Sequence, residues 1–406
     1  MNEQIQQWID TAQEMFGLSS FTRCATTTGY EKNEVNETDY RLIMEWLPPG
    51  MEERKEEDLN PDGTAVIEVD VRSGLLKSVV FVGGKAPQRG LTFLTGDKNE
   101  IVRWVEQMTG WTYGRHFIDS QSNHTYSFEL AYKGVPVSPS GSIHVSLDDE
   151  KRLTFFSVYG QVPKENVIEE TFTLTLESIQ DIAFKRLVFC EVPSEEDEKW
   201  MPVYMIDEQF ISNETGKPVV EELEVLEWKT KKNMNVKRKL IQYTPDEIDE
   251  EKIFDFPPHP DTKPITKKGR MKVKENSLLF LQSYSPKESG QWVLSNIRRS
   301  NGMIEARLTN KTDVSVVPRS WKLFLDKDSY DVISYQDNSW MLDQFEEYKN
   351  AEKAEITKEE AFDAIKPHLQ LKKVYVLDGD TYRLYGQIDC HSAIHAVNGK
   401  VIHFVQ

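Results

Sequence analysis

Apolar residues recur at helical spacing in four stretches of this chain. Ile5, Trp8, Ile9, Ala12 and Phe16 form the first stripe, and Ile101, Trp104, Val105 and Met108 the second. Leu176, Ile179, Ile182, Ala183 and Leu187 make the third. The fourth is Ala361, Ala364, Ile365 and Leu369, and it follows Thr357 and Glu360, which are spaced as a capping box. Between the stripes lie strand-like runs: Tyr40 to Trp46, Thr125 to Tyr132, Val203 to Asp207 and Thr381 to Ile388. The pattern predicts an α+β protein of tandem units, each a helix packed on a short antiparallel sheet.

A turn pattern recurs with these units. An apolar strand ends on a polar residue, a short polar turn follows, and a second apolar strand begins. The copies are Val66 to Leu76, Ile143 to Leu153, Phe210 to Val219, Leu323 to Ile333 and Ala393 to Ile402. Gly74, Gly216 and Gly399 supply the residue that such a turn holds at positive φ. Glu150 and Tyr330 stand there in the second and fourth copies, so those turns are expected to differ or to be longer.

The interval from Gly216 to Tyr330 breaks the period. It holds the basic stretch Trp228 to Lys239, the acidic stretch Asp246 to Glu251 and the breaker Phe256-Pro257-Pro258-His259-Pro260. The expected division is therefore units at 1–90, 91–165 and 166–224, a linker or irregular insertion at 225–275, a strand-rich unit at 276–350 without a helix of its own, and a C-terminal unit at 351–406.

At 406 residues the chain is too long for one small core, and 67 acidic against 49 basic residues give a net charge of −18. That field argues against nucleic acid or an anionic membrane as the main partner, although Lys231 to Lys239 is locally basic. No apolar run is long enough to span a bilayer. Met1 to Leu18 has neither a basic n-region nor an apolar h-region, so it reads as an amphipathic helix, and the expected location is the cytoplasm. Cys24, Cys190 and Cys390 are few and far apart, which fits thiols and not a disulfide framework.

Motifs that carry chemistry are missing. Gly83-Gly84-Lys85 lacks the flanks of a phosphate loop, and HExxH, GxSxG and CxxC do not occur. Cys390, His391, His395 and His403 cluster in sequence but fall in strand context. With Asn398 and Gly399 as the loop residues, His395 would pair opposite Ile402 and Ile394 opposite His403. His395 and His403 would then face opposite sides, and His391 would lie about 13 Å from His395 along an extended strand, too far for shared metal ligation. The runs Glu52 to Asp58 and Glu195 to Glu198 read as solvated loops. No catalytic, cofactor-binding or metal-ligating residue is assigned, and no cofactor is expected.

The repeated ending, as in Ile394 to Ile402, resembles the PepSY-like, or YcdB/YcdC-type, repeat of Gram-positive bacteria. Ile211 to Val219 keeps Thr215-Gly216-Lys217, Val69 to Leu75 keeps Asp70 and Gly74, and Ser146 to Tyr159 resembles a longer form. His395 stands where that family usually has Asp. The resemblance covers about residues 1–224 and 320–406. It implies a non-enzymatic binding or regulatory protein that holds or inhibits a peptidase or another envelope, cell-wall or spore enzyme. Edge strands of small sheets give such a module a physical route to an extended peptide. The alternatives are a structural or sporulation-related scaffold and a hydrolase with an unrecognised carboxylate site.

Overall fold

The structure is a computed structural model and describes residues 2–51, 60–120, 126–219, 223–241 and 246–404. The first stripe becomes helix α1 (Glu3–Met15), started by Asn2, whose side chain accepts the Gln4 N–H. Strands β1 (Thr22–Lys32), β2 (Thr38–Leu47), β3 (Ala65–Asp70) and β4 (Leu76–Phe81) follow as an antiparallel meander. Alternation along β2 buries Tyr40, Leu42, Met44 and Trp46 in one core with the Ile5, Ile9 and Ala12 face of α1.

Helix α2 (Lys98–Thr109) opens the second unit, capped by Asp97 and ended by left-handed Gly110. Strands β5 (Phe117–Asp119), β6 (Tyr126–Tyr132), β7 (Val135–Ser138), β8 (Ser142–Leu147) and β9 (Leu153–Tyr159) complete it. Helix α3 (Gln180–Arg186) precedes β10 (Leu187–Ser194), β11 (Lys199–Ile206) and β12 (Gln209–Ser212). Two short strands, β13 (Glu224–Leu226) and β14 (Asp246–Glu247), lie in the irregular stretch. Helix α4 (Lys267–Tyr284), β15 (Trp292–Ser300), β16 (Met303–Asn310), β17 (Ser320–Asp326), β18 (Val332–Asp337) and the short α5 (Ser339–Asp343) come next. The chain closes with α6 (Lys358–Ile365), β19 (Gln370–Asp378), β20 (Thr381–Asp389), β21 (Ser392–His395) and β22 (Val401–His403).

The α+β class is the one observed, but the helices lie on shared sheets. β4 pairs with β9, and β7 pairs in parallel with β19, so the first, second and last units join in one large sheet. Its core takes Ile5 and Ile9 from α1, Ile101 and Val105 from α2, and Leu384 from β20. A smaller sheet runs β10-β11-β21-β22, and α3 and α6 bury Ala183, Phe362 and Ile365 in a common core. Fusion is the physically expected outcome, because a helix on three or four short strands leaves edges and half-covered faces.

Four of the five turns share one wiring. Gly74 N–H donates to Asp70 O (2.7 Å) and Asp70 N–H to Leu75 O (2.9 Å). The same pair of bonds links Gly216 to Ser212 and Ser212 to Lys217, and Gly399 to His395 and His395 to Lys400. φ is +72° at Gly74, +65° at Gly216 and +71° at Gly399. The fourth turn corrects the sequence reading. Tyr330 N–H donates to Asp326 O (3.0 Å), Asp326 N–H donates to Asp331 O (2.9 Å), and Tyr330 itself takes φ +67°. This turn is neither different nor longer, and Tyr330 bears the steric cost that glycine avoids. The second turn is one residue shorter, with Lys151 at φ +63° bonded to Asp148 O.

Each turn also uses the side chain of its first residue as an acceptor. Asp70 accepts from Ser73 N–H (3.0 Å), Ser212 Oγ from Thr215 N–H (3.2 Å) and His395 Nδ1 from Val397 N–H (3.2 Å). Asp148 accepts from Arg152 N–H, and Asp326 from both Asp328 and Ser329 N–H. An acceptor at that position is the common requirement, which is why Ser and His can stand in for Asp.

Helix α4 is a second correction. The strand-rich unit does have a helix, and the helix starts inside the stretch read as an insertion. Gly269, Ser277 and Gln282 occupy buried positions beside Val273, Phe280 and Leu281, so the apolar stripe that marks a helix is diluted. The rest of 225–275 is irregular but anchored. Leu226, Trp228 and Val236 enter the core under α4, while Ile253 enters the large core. Tyr40 Oη donates to Pro257 O at 2.9 Å, and buried His259 lies 2.6 Å from the Asp246 carboxylate.

Candidate functional site

The expected open edges are largely covered from within the chain. β14 lies on β1 at Gly29 and Tyr30, and β13 lies on β15. Val219 N–H bonds Phe210 O beside β12, Glu191 of β10 exchanges bonds with Val314 and Val316, and Lys239 N–H bonds Ile333 O on β18. The three-residue β22 ends the small sheet.

The seam between the first two units is different. β4 and β9 pair at Ser78↔Ser157, Val79↔Phe156 and Val80↔Phe155. Both strands continue beyond Ser78 and Ser157, but they part. Two local features turn them aside. A bulge at Glu68/Val69 shifts the start of β4, and Gly160, at φ +81°, lies so close to Gly141 that an added Cβ would sit 2.7 Å from its Cα. The parted ends form a cavity of 160 Å³ lined by Leu76, Lys77, Val158, Gly160, Asp39 and Trp111.

Two further cavities adjoin this one and share lining residues with it. Leu75 and Leu76 also line a 180 Å³ groove between α1 and α2, with Trp8, Met15, Phe16 and Met108. Asp39, Lys77, Val158 and Gly160 also line a 270 Å³ cavity with Glu31, Lys32, Glu34 and Arg41. Together the three adjoining cavities make up a trough-like surface, apolar at the helix end and charged at the other.

The charged end is held by local bonds. Arg41 pairs with Glu31 and lies 3.6 Å from Glu68. Asp39 accepts from Asn33 and Gln161 side chains, each at 2.9 Å. Tyr159 Oη donates to Glu34 at 3.0 Å; burial first, and that carboxylate second, push its pKa up. Lys32 Nζ donates to Arg299 O at 2.7 Å, and burial lowers its pKa. The described lining residues include no histidine or cysteine, and Ser73 Oγ is engaged by Asp70 within the turn. Physically, the trough offers two separated strand ends, an apolar pocket and paired charges.

The residues weighed from sequence lie elsewhere. Gly83 and Gly84 form a tight turn, and Lys85 pairs with Asp62 at 2.7 Å. The histidine register is corrected: Ile394 pairs with Val401, Ala393 with Ile402 and Ser392 with His403. The loop spans four residues because His395 bonds Lys400 across it. His395 and His403 still fall on opposite faces, by alternation from Ser392. His403 Nδ1 lies 2.9 Å from Ser392 Oγ, and His391 lies 3.3 Å from the Asp389 carboxylate. Burial raises the Cys390 pKa, and raises that of Cys190 to about 11, which keeps both thiols protonated and weakly nucleophilic. Glu195 to Glu198 sit at an exposed turn, whereas Glu52 to Asp58 lie outside the described residues. Among the described residues no helix is long and apolar enough to cross a membrane. The trough itself was missed from sequence; the bulge beside Gly74 and the Gly160 break were its local signals.

No family model matches the chain, and no curated protein matches it. Among solved structures it is similar to the Bacillus megaterium YpeB C-terminal domain, at 10% sequence identity over 83% of this chain and 97% of that one, with a TM-score of 0.23. A superposition at that level does not establish a shared fold.

Proposed function

We propose that this chain is a non-catalytic protein-binding module of the PepSY-like kind its turns resemble, and that the trough between β4 and β9 receives an extended segment of a partner protein. The partner class is a peptidase or a cell-wall or spore enzyme, held or inhibited by the contact. The observation that supports the reading is the parting of β4 and β9 next to an apolar groove. An inserted strand would gain main-chain hydrogen bonds from the parted ends, and the groove would select its side chains. A scaffold role is the second reading, favoured by the self-coverage of the other edges.

Selection of binders from a displayed random-peptide library tests this. Leu75→Glu and Lys77→Glu alter the trough at residues outside the buried core. Binders should lose about tenfold in affinity, near 1.4 kcal/mol, with either variant. Binders indifferent to both variants would remove the site from the trough, and failure to select any would favour the scaffold. Turnover of a peptidase or hydrolase substrate, abolished by one carboxylate or histidine substitution, would overturn the non-catalytic reading.

A further inference from the structure

Two short stretches concentrate positive charge in this acidic chain. Residues 229–239 hold six cations and 267–274 hold five, with no carboxylate in either stretch. The first stretch passes the C-terminal end of α4, where Met234 N–H donates to Ser283 Oγ at 3.0 Å. Buried Val236 pins it, and it reaches β18, where Arg238 Nη2 donates to Tyr335 O at 2.9 Å and Lys239 N–H to Ile333 O at 3.0 Å. The second stretch is the N-terminal half of α4. Its Lys272 lies 5.5 Å from the Tyr330 ring, and Lys239 N–H bonds Ile333 O just beyond the same turn. Both basic runs thus border the β17–β18 turn.

On its other flank the helix borders a cleft of 570 Å³. Lys267, Arg270 and Lys274 line it, with Met271, Leu294 and Ile297 as apolar wall. Among the described residues, the carboxylates in the cleft are Glu224, which is paired with Lys274, and Glu275. Lys274 alone of these eleven cations forms an ion pair among the described residues. Cations at a helix N-terminus also oppose the helix dipole, so the placement does not serve α4 itself.

We propose that this surface docks an acidic, partly apolar polypeptide segment of a partner protein. Charge complementarity supplies the attraction and steering, and Met271, Leu294 and Ile297 supply apolar contact. A long polyanion such as nucleic acid fits less well, because the rest of a chain with net charge −18 would repel its flanks. The site is separate from the trough and stands or falls on its own.

Fluorescence anisotropy with a labelled alternating Glu-Leu peptide tests the proposal, with a Lys-Leu peptide and a single-stranded DNA of equal charge as comparators. The Glu-Leu peptide should bind, weaken as salt rises, and lose about tenfold, 1.4 kcal/mol, in Lys267→Glu/Arg270→Glu. Both side chains are exposed, and circular dichroism checks that the variant is folded. Leu75→Glu, in the trough, should leave this affinity unchanged. Unaltered binding in the double variant, no Glu-Leu binding at low salt, or tighter binding of the DNA would each overturn the proposal.

Discussion

Tyr330 presses directly on Gly269: a methyl group on Gly269 would sit 2.6 Å from the Tyr330 phenolic oxygen and 2.9 Å from Cζ. A methyl there can fit only if the half-buried ring swings aside, because the backbone of Tyr330 is fixed. That backbone is left-handed, and its carbonyl accepts from Asn276 Nδ2 at 2.6 Å. Alanine normally improves a helix interior by about 1 kcal/mol over glycine, but overpacking costs about 1–3 kcal/mol. Gly269→Ala should therefore destabilise the protein in denaturant melts. Gly269→Ala/Tyr330→Gly should lose less than the two single losses together, since removing the ring removes the clash. Additive losses would mean the contact is slack.

Asp326 holds its turn by accepting two backbone N–H groups, from Asp328 (3.0 Å) and Ser329 (2.9 Å). The Ser329 bond first, then the Asp328 bond, lowers its pKa. Asp326→Ala should cost about 1 kcal/mol, while Asp326→Asn, which keeps an acceptor, should cost less. Equal losses in both would point to charge and not to the turn bonds.

The Glu100 carboxylate ties down the loop before α2, accepting from the N–H groups of Leu94 (2.8 Å), Thr95 (2.8 Å) and Gly96 (2.9 Å). These bonds, led by Leu94, bring its pKa from 4.5 down to about 2. A depressed folded pKa gives stability that is present above pH 4.5 and lost as pH falls towards about 2. Glu100→Gln should flatten that part of the stability–pH curve and leave the slope at neutral pH unchanged. An unchanged acid limb would remove Glu100 from the account.

Cys190 is buried and its pKa is raised to about 11, chiefly by burial and then by Glu191, whereas Cys24 is exposed. In the native protein Cys190 should be the slowest thiol to react with a disulfide reagent. In denaturant without reductant, all three cysteines should titrate. A lower count would reveal a disulfide.

The parts legible in the sequence are those set by local rules. Four helices follow from their apolar stripes, and three turns from Gly74, Gly216 and Gly399. Helix α4 escaped because small and polar residues fill its buried face. Tyr330 escaped because a left-handed backbone leaves no mark on a tyrosine's identity. The joining of units through β4–β9 and β7–β19 depends on partners remote in sequence, which single-strand patterns cannot specify. The trough was hidden for the same reason, since it exists only where that remote pairing stops.

The segment between β13 and α4 offers a last test, because its charge and prolines suggest a uniform linker while its contacts do not. In 229–239 the cationic side chains are exposed, Val236 is the one buried side chain, and the remaining ties include a few hydrogen bonds at Met234, Arg238 and Lys239. Farther on, Ile253 is buried in the large core, Pro257 O is held by Tyr40, and His259 N–H donates to Thr38 Oγ1 at 2.8 Å. Buried Asp261 accepts from Gly302 N–H at 3.0 Å. Proteolysis requires local unfolding, so cleavage should follow anchoring and not composition. Within 223–284, brief trypsin treatment should cut first after cations in 229–239, and Lys252 should resist. Mass mapping of the first fragments distinguishes the outcomes: early cuts at Lys252 would show that the stretch leading into the prolines opens more readily than its contacts imply.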